Sequence, residues 1–199
     1  MQKITIVLVV FLLVLLVFGC TQQQSVNQTY KNENFGIIFS YDTNLSLDSW
    51  SLSDYYVRLT KNYPNEDVCE ITITKDLVSD VQNSFSYNKS TYNSDVNGLD
   101  TNLTLEEYRQ FMEAHKSRDY NVEVLENEYV DLSGVKMWKI TSVKHFAEDL
   151  HPKSTSLYGI LHNYFYQLTA GTYKSDDFNS CSAYFETVLN SFSFTNNGN

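Results

Sequence analysis

Apolar and polar residues alternate in several segments of the chain, and this pattern predicts strands. The clearest segment is DVCEITITKD (67–76), in which Cys69, Ile71 and Ile73 fall on one side and polar residues lie between them. A period of two is typical of a half-buried strand. Similar patterns predict two earlier strands, in NFGIIFSYD (34–42) and DYYVRLTKN (54–62).

Three further strands are predicted in the second half of the chain. YNVEVLENEYVDL (120–132) and VKMWKITSVKHF (135–146) are separated by Ser133 and Gly134, which are typical turn residues. TSLYGILHNYFYQLTAGTY (155–173) stays apolar on both faces. This pattern predicts one long strand at the centre of a sheet.

Helical spacing of apolar residues predicts two helices. In LTLEEYRQFMEAHKSRDY (103–120), Thr104 and Glu107 have the spacing of a capping box, and Leu103 and Tyr108 that of a hydrophobic staple. One stripe of this helix contains Leu105, Tyr108, Met112 and His115. The second helix, in DDFNSCSAYFETVLNSF (176–192), has an apolar face that is made of Phe178, Cys181, Phe185, Val188, Leu189 and Phe192.

The predicted order is β-β-β-α-β-β-β-α, with a long polar segment (77–102) before the first helix. Short antiparallel neighbours with two helices predict an α+β fold, in which the helices pack on a mainly antiparallel sheet. The polar segment is rich in Ser, Asn and Tyr. Loops of this length are usually functional or disordered, and tyrosine among small polar residues suits adaptable protein contacts.

The N-terminus has the pattern of an export signal. A run of fifteen residues, Ile4 to Phe18, follows Lys3 and is apolar except for Thr5. This run is shorter than the roughly 20 residues of a spanning helix. VFGC (17–20) resembles the lipobox of prokaryotic lipoproteins, although Phe18 is bulkier than usual. We therefore predict a signal peptide (1–19), a flexible tether (20–33) lipidated at Cys20, and a domain (34–196). The alternatives are an uncleaved N-terminal anchor and plain secretion.

The other two cysteines are both predicted to point inward. Cys69 lies on the apolar side of a strand, and Cys181 lies on the apolar face of the last helix. In an oxidising compartment they would join as a disulfide. Two separate buried thiols remain the main alternative. A catalytic thiol is disfavoured because no histidine is placed to activate it.

The net charge and the absence of known catalytic motifs argue against several classes of function. The net charge is −10 with only three arginines, so the surface repels phosphate backbones and we predict no nucleic-acid partner. The sequence has no phosphate-binding glycine loop, no nucleophile elbow, no His-Glu-x-x-His motif and no Cys-x-x-Cys pair. We therefore predict no enzymatic activity and no cofactor.

Two groups of residues are candidates for ligand binding. In the predicted strand 155–173, His162 alternates on one face with Tyr158, Ile160, Tyr164 and Tyr166. A hydrogen-bonded histidine beside a tyrosine cluster is the ordinary interpretation, and a ligand-binding face is the alternative. HFAEDLHP places His145, Glu148, Asp149 and His151 in a turn. These are metal-ligand types, but their spacing matches no known site, so we predict no metal.

Four sequons are candidate acceptors for N-glycosylation in an exported protein, although such triplets also arise by chance in a chain rich in Asn and Ser. They begin at Asn27, Asn44, Asn88 and Asn102. All four are predicted to lie in the tether or in loops.

Several segments together resemble the PsbP-like fold. They are NFGIIFSY after the polar YKNE, the helix TLEEYRQFM, the strand YGILHNYFYQLTAGT and the terminal FETVLNSFSF. The resemblance implies an accessory, protein-binding or assembly role and carries no catalytic residues. We expect a lipoprotein held at the cell membrane by its lipid, facing outside the cytoplasm and binding a protein partner. The alternative is small-ligand or metal binding at the tyrosine face or the 145–151 loop.

Overall fold

The structure is a computed structural model, and it describes residues 26–48, 54–64, 67–84, 103–116, 121–146 and 151–195. The predicted signal peptide, Cys20, Asn88 and Asn102 lie outside these residues, as does most of the polar segment before the first predicted helix. Within the described residues, no helix is both long and apolar enough to cross a membrane.

The centre of the fold is a seven-stranded antiparallel sheet. Its strands are β3 (Ser46–Leu47), β4 (Tyr56–Asn62), β5 (Val68–Leu77), β6 (Val122–Leu132), β7 (Val135–Lys144), β8 (Lys153–Leu161) and β9 (Tyr164–Thr172). Their spatial order is β3-β4-β5-β9-β8-β7-β6. Hairpins connect most neighbours, and β5 pairs with β9 to join the two halves of the sheet.

A second, three-stranded sheet brings the two ends of the domain together. It has the order β1-β2-β10, from β1 (Asn27–Asn32), β2 (Ile37–Asp42) and β10 (Ser193–Phe194). The last helix, α3 (Phe178–Ser191), follows a short 3-10 turn (Ser175–Asp177) and packs on β2, β9 and β5. The main core lies between this layer and the large sheet.

The other face of the large sheet carries two helices and a smaller aromatic core. A helical segment, α1 (78–84), contributes Val78 and Val81, and α2 (Leu105–Lys116) contributes Tyr108. The Tyr108 ring lies 4.6 Å from Phe165 and 5.1 Å from Tyr158 between centroids. The predicted helix thus packs as its apolar stripe indicates.

Local signals at the start of α2 are confirmed. The Glu107 amide donates to Thr104 Oγ1 at 3.2 Å, and the Glu107 carboxylate accepts from the Thr104 amide at 2.8 Å. These reciprocal bonds form the predicted capping box. Leu103 and Tyr108 are both buried in the same cluster, as a staple requires.

Two predictions about strands are wrong. Residues 155–173 are not one strand but the hairpin of β8 and β9, since the chain reverses at His162 and Asn163. The predicted tether (20–33) also overlaps the fold, because β1 pairs with β2 from Asn27 to Asn32. Only Tyr30 in β1 is buried, so this edge strand is held by backbone bonds and shows no apolar alternation.

Candidate functional site

A cleft of about 540 Å³ opens where three tight turns meet at one end of the sheets. The turns are the β1–β2 connection at Gly36, the β6–β7 turn at Ser133-Gly134 and the β8–β9 turn at His162-Asn163. Phe194 of β10 and the adjacent Thr195 close a further side. A cleft of this volume lies within the usual range for small-ligand sites, about 300–1,000 Å³.

Backbone conformation fixes the turns around the cleft. Ser133 and Gly134 have φ of 54° and 80°, as a type I′ hairpin turn requires. Asp131 supports this turn because its carboxylate accepts from the Gly134 amide at 2.9 Å. His162 also has a positive φ, 55°, which is uncommon for a residue other than glycine.

Lys75 is the most unusual group in the cleft. Its residue is only 7% exposed, and its ammonium donates to the backbone oxygens of Asn34 and Phe35, each at 3.1 Å. The ammonium also lies 4.0 Å from the centroid of the Tyr164 ring. No carboxylate of the described residues comes within ion-pair distance of it. Burial therefore lowers the pKa of Lys75.

Tyr166 forms the aromatic wall beside Lys75. Its ring meets Phe194 edge-on at 5.0 Å and stacks on Phe35 at 6.5 Å between centroids. Burial raises the pKa of Tyr166 to about 12, so its hydroxyl is neutral at physiological pH and can donate a hydrogen bond.

Thr195 adds a buried hydroxyl without a partner. Its amide donates to Gly36 O at 2.8 Å, which closes the strand pairing, but its Oγ1 has no hydrogen-bond partner among the described residues. A Cβ placed on Gly36 would lie 3.8 Å from the Tyr166 hydroxyl and 3.9 Å from Thr195 Oγ1. The two hydroxyls therefore converge over the Gly36 backbone.

The predicted tyrosine face is only partly assembled. His162, Tyr164 and Tyr166 all line the cleft. Tyr158 does not, because it lies in the aromatic core on the opposite face of the sheet. The grouping of all four residues on one face is wrong, since the turn at His162 changes which residues of β8 and β9 share a face.

Lys75 is the residue of this cleft that sequence reasoning missed. The alternation that places Cys69, Ile71 and Ile73 inside continues to position 75, where Lys75 is buried on the same side of β5. A lysine at an inward position of a clean strand pattern was the available signal, because lysine is almost never fully buried without a reason.

The histidine turn forms a pair of close rings but no cluster of metal ligands. His145 and His151 have their Nδ1 atoms 3.2 Å apart, and His145 Nε2 lies 3.4 Å from a carboxylate oxygen of Glu123. Glu148 and Asp149 lie outside the described residues. Among the residues with a described position, no group of three or more His, Cys, Asp or Glu side chains could hold a metal ion.

The two inward cysteines are bonded to each other. Cys69 of β5 and Cys181 of α3 form a disulfide with Cα atoms 5.3 Å apart, and both residues are fully buried. The bond links the large sheet to the last helix, which is the pairing that their inward positions predict. Two of the four glycosylation acceptors, Asn27 and Asn44, lie in the described residues, and both are exposed.

Comparisons with known proteins find similarity in structure and none in sequence. No protein-family model and no curated protein matches the chain. LpqN of Mycobacterium tuberculosis, a protein involved in cell envelope biogenesis, is similar with a TM-score of 0.53 and 11% identity, over 86% of this chain and 92% of LpqN.

Two other solved structures are similar at lower scores. One is cyanobacterial PsbP (CyanoP) from Synechocystis sp. PCC 6803, with a TM-score of 0.46 and 13% identity over 88% of this chain and 96% of that chain. The other is the Ran-binding protein Mog1p of Saccharomyces cerevisiae, with a TM-score of 0.48 and 9% identity over 86% and 96%. The described part of the chain is an α+β domain with antiparallel sheets and packed helices, and the likeness to LpqN shows a shared fold.

Proposed function

We propose that the protein is a lipid-anchored accessory protein of the cell envelope, which faces outside the cytoplasm and binds a protein partner. The observation that carries the location is the buried disulfide between Cys69 and Cys181. Structural disulfides persist in oxidising compartments and are rare in the cytosol. The leader that ends at Gly19-Cys20 supports the same location.

Three features support an accessory role. The similar structure LpqN is involved in cell envelope biogenesis, and the PsbP-like resemblance implies protein binding or assembly. The sequence also lacks catalytic motifs. The proposal therefore assigns the protein no enzymatic activity and no cofactor.

The anchor is tested by the intact mass of the protein extracted from its own membranes. We expect the mass of residues 20–199 plus a lipid, and we expect Cys20→Ser to abolish both the added mass and the membrane association. Thr21→Ser is the matched control, because it changes the adjacent residue and keeps the cysteine. A mass equal to the full chain would contradict lipidation and favour an uncleaved anchor.

The partner is tested by mild crosslinking in native membranes, followed by purification of the tagged full chain. We expect one protein in near-stoichiometric amount. The control is the same tag on residues 1–25, which carry the leader and end before β1. A protein recovered equally with the control, or no protein above background, would contradict the protein-binding role.

A second candidate function is the binding of a small ligand. It is favoured by the cleft at the three turns, which combines a buried lysine, tyrosine walls and an unpartnered hydroxyl. A panel of small molecules that raises the melting temperature of the protein would support this function, because a ligand that binds only the folded state stabilises it.

A further inference from the structure

We propose that the cleft binds a small organic monocarboxylate, whose carboxylate pairs with the ammonium of Lys75. This inference rests on the second candidate function, small-ligand binding, and names the chemical class of its ligand. The location and the protein partner proposed above do not depend on it.

The charge of Lys75 is the first reason. A buried ammonium normally has a carboxylate partner, because desolvation of a charge is expensive. Among the described residues, Lys75 Nζ contacts two backbone oxygens and the Tyr164 ring, and the Tyr166 centroid lies 6.0 Å away. The carboxylate of Asp54 acts on it only from beyond ion-pair distance. An incoming carboxylate would supply the missing opposite charge, which a neutral ligand does not.

The hydroxyls over Gly36 are the second reason. Among the residues that the structure describes, the buried Thr195 Oγ1 has no hydrogen-bond partner, and a buried unsatisfied hydroxyl is destabilising. The Tyr166 hydroxyl lies in the same region, since both hydroxyls are within 4 Å of the position that a Gly36 Cβ would take. A polar substituent on the ligand would bond to this pair, so we expect the cleft to favour a hydroxylated acid over the parent acid.

The walls of the cleft are the third reason. Besides its polar groups, the cleft is lined by Val135, Leu161, Tyr166 and Phe194. These side chains offer apolar and aromatic surface for the body of the ligand. Small-molecule sites combine apolar walls with placed polar groups, and in this cleft the polar surface slightly exceeds the apolar surface.

The test uses the full chain, purified in mild detergent, with three probes: benzoate, 4-hydroxybenzoate and the neutral analogue benzamide. We expect 4-hydroxybenzoate to bind most tightly, benzoate to bind more weakly, and benzamide to bind at least tenfold more weakly than benzoate. Titration calorimetry gives the dissociation constants, and thermal unfolding gives an independent readout.

Lys75→Met is the central variant, because it keeps the length of the side chain and removes the charge. We expect it to weaken benzoate binding at least tenfold. The matched control is Lys61→Met. Lys61 also lies over a tyrosine ring, with its Nζ 4.6 Å from the Tyr184 centroid, but it does not line the cleft. We expect this control to bind benzoate with unchanged affinity.

A second variant keeps the test decisive if Lys75→Met does not fold. Thr195→Val removes the unpartnered hydroxyl and nearly preserves the shape of the side chain. We expect it to reduce the preference for 4-hydroxybenzoate over benzoate severalfold. An unchanged preference would overturn the assigned orientation of the ligand.

The outcomes separate the inference from the function on which it rests. If benzamide binds as tightly as benzoate, the carboxylate assignment is overturned and small-ligand binding stands. If none of the three probes binds or shifts the melting temperature at millimolar concentration, the inference falls and the second candidate function loses its support. Benzoate binding that Lys75→Met leaves intact would also overturn the inference.

Discussion

Breaking the disulfide between Cys69 and Cys181 has an effect on stability that follows directly from the fold. The bond joins residues that are 112 positions apart, so it closes most of the domain into a loop in the unfolded chain. In the chain-entropy model, a loop of this length lowers the entropy of the unfolded state by about 16 cal/mol/K. The expected loss of unfolding free energy on reduction is therefore about 5 kcal/mol at 25 °C.

This loss is large relative to the whole stability of an ordinary domain, about 5–15 kcal/mol. We expect the reduced protein to be folded marginally or not at all at 37 °C. Because the cross-link also keeps the unfolded chain compact, we expect a steeper dependence of the unfolding free energy on urea after reduction.

The assay is urea denaturation of the chain from residue 21, in which Cys69 and Cys181 are the only cysteines. The free energies of unfolding are compared with and without reductant, and the double variant Cys69→Ala/Cys181→Ala is measured beside them without reductant. A difference below about 1 kcal/mol between oxidised and reduced protein would refute the reasoning. Two free thiols in the wild-type protein, counted after denaturation without reductant, would refute the bond itself.

Three further changes have calculable outcomes. Gly159→Ala should destabilise the domain by about 1–3 kcal/mol in urea denaturation, because the new Cβ would lie 2.0 Å from Sδ of the fully buried Met137; wild-type stability would show that Met137 has room to move. His162→Gly should raise the free energy of unfolding by about 1 kcal/mol, since glycine adopts its positive φ without strain; a loss of stability would show that the His162 side chain holds the turn. The pKa of Glu106 is lowered to about 2, chiefly by its bonds to Arg109. Its contribution to the free energy of unfolding is therefore present above the unfolded pKa of about 4.5 and is lost as the pH falls towards 2. Glu106→Gln should flatten the dependence of stability on pH in this acid range, and an unchanged dependence would contradict this role.

Local sequence rules predict the parts of the fold that capping motifs, turn residues or simple periodicity specify. The capping box at Thr104, the turn at Ser133-Gly134 and the inward positions of Cys69 and Cys181 follow from spacing alone. Each depends on residues close in sequence or on a simple period. The structure agrees with all of these predictions.

The wrong predictions concern segments whose backbone structure is not indicated by the pattern of their side chains. The turn at His162-Asn163 contains no glycine and interrupts an apolar run, so periodicity extends straight through it. β1 is polar and is recognised only by its pairing with β2. The cleft combines residues from both ends of the chain, such as Gly36 and Thr195, and no local pattern brings these together.

The early start of β1 limits how far the domain can stand from a membrane. If Cys20 is the lipidated terminus that we propose, only residues 21–26 separate the anchor from Asn27, the first residue of β1. Six residues span roughly 20 Å at full extension, about half the diameter of a domain of this size. The near face of the domain would therefore lie within roughly 20 Å of the bilayer surface.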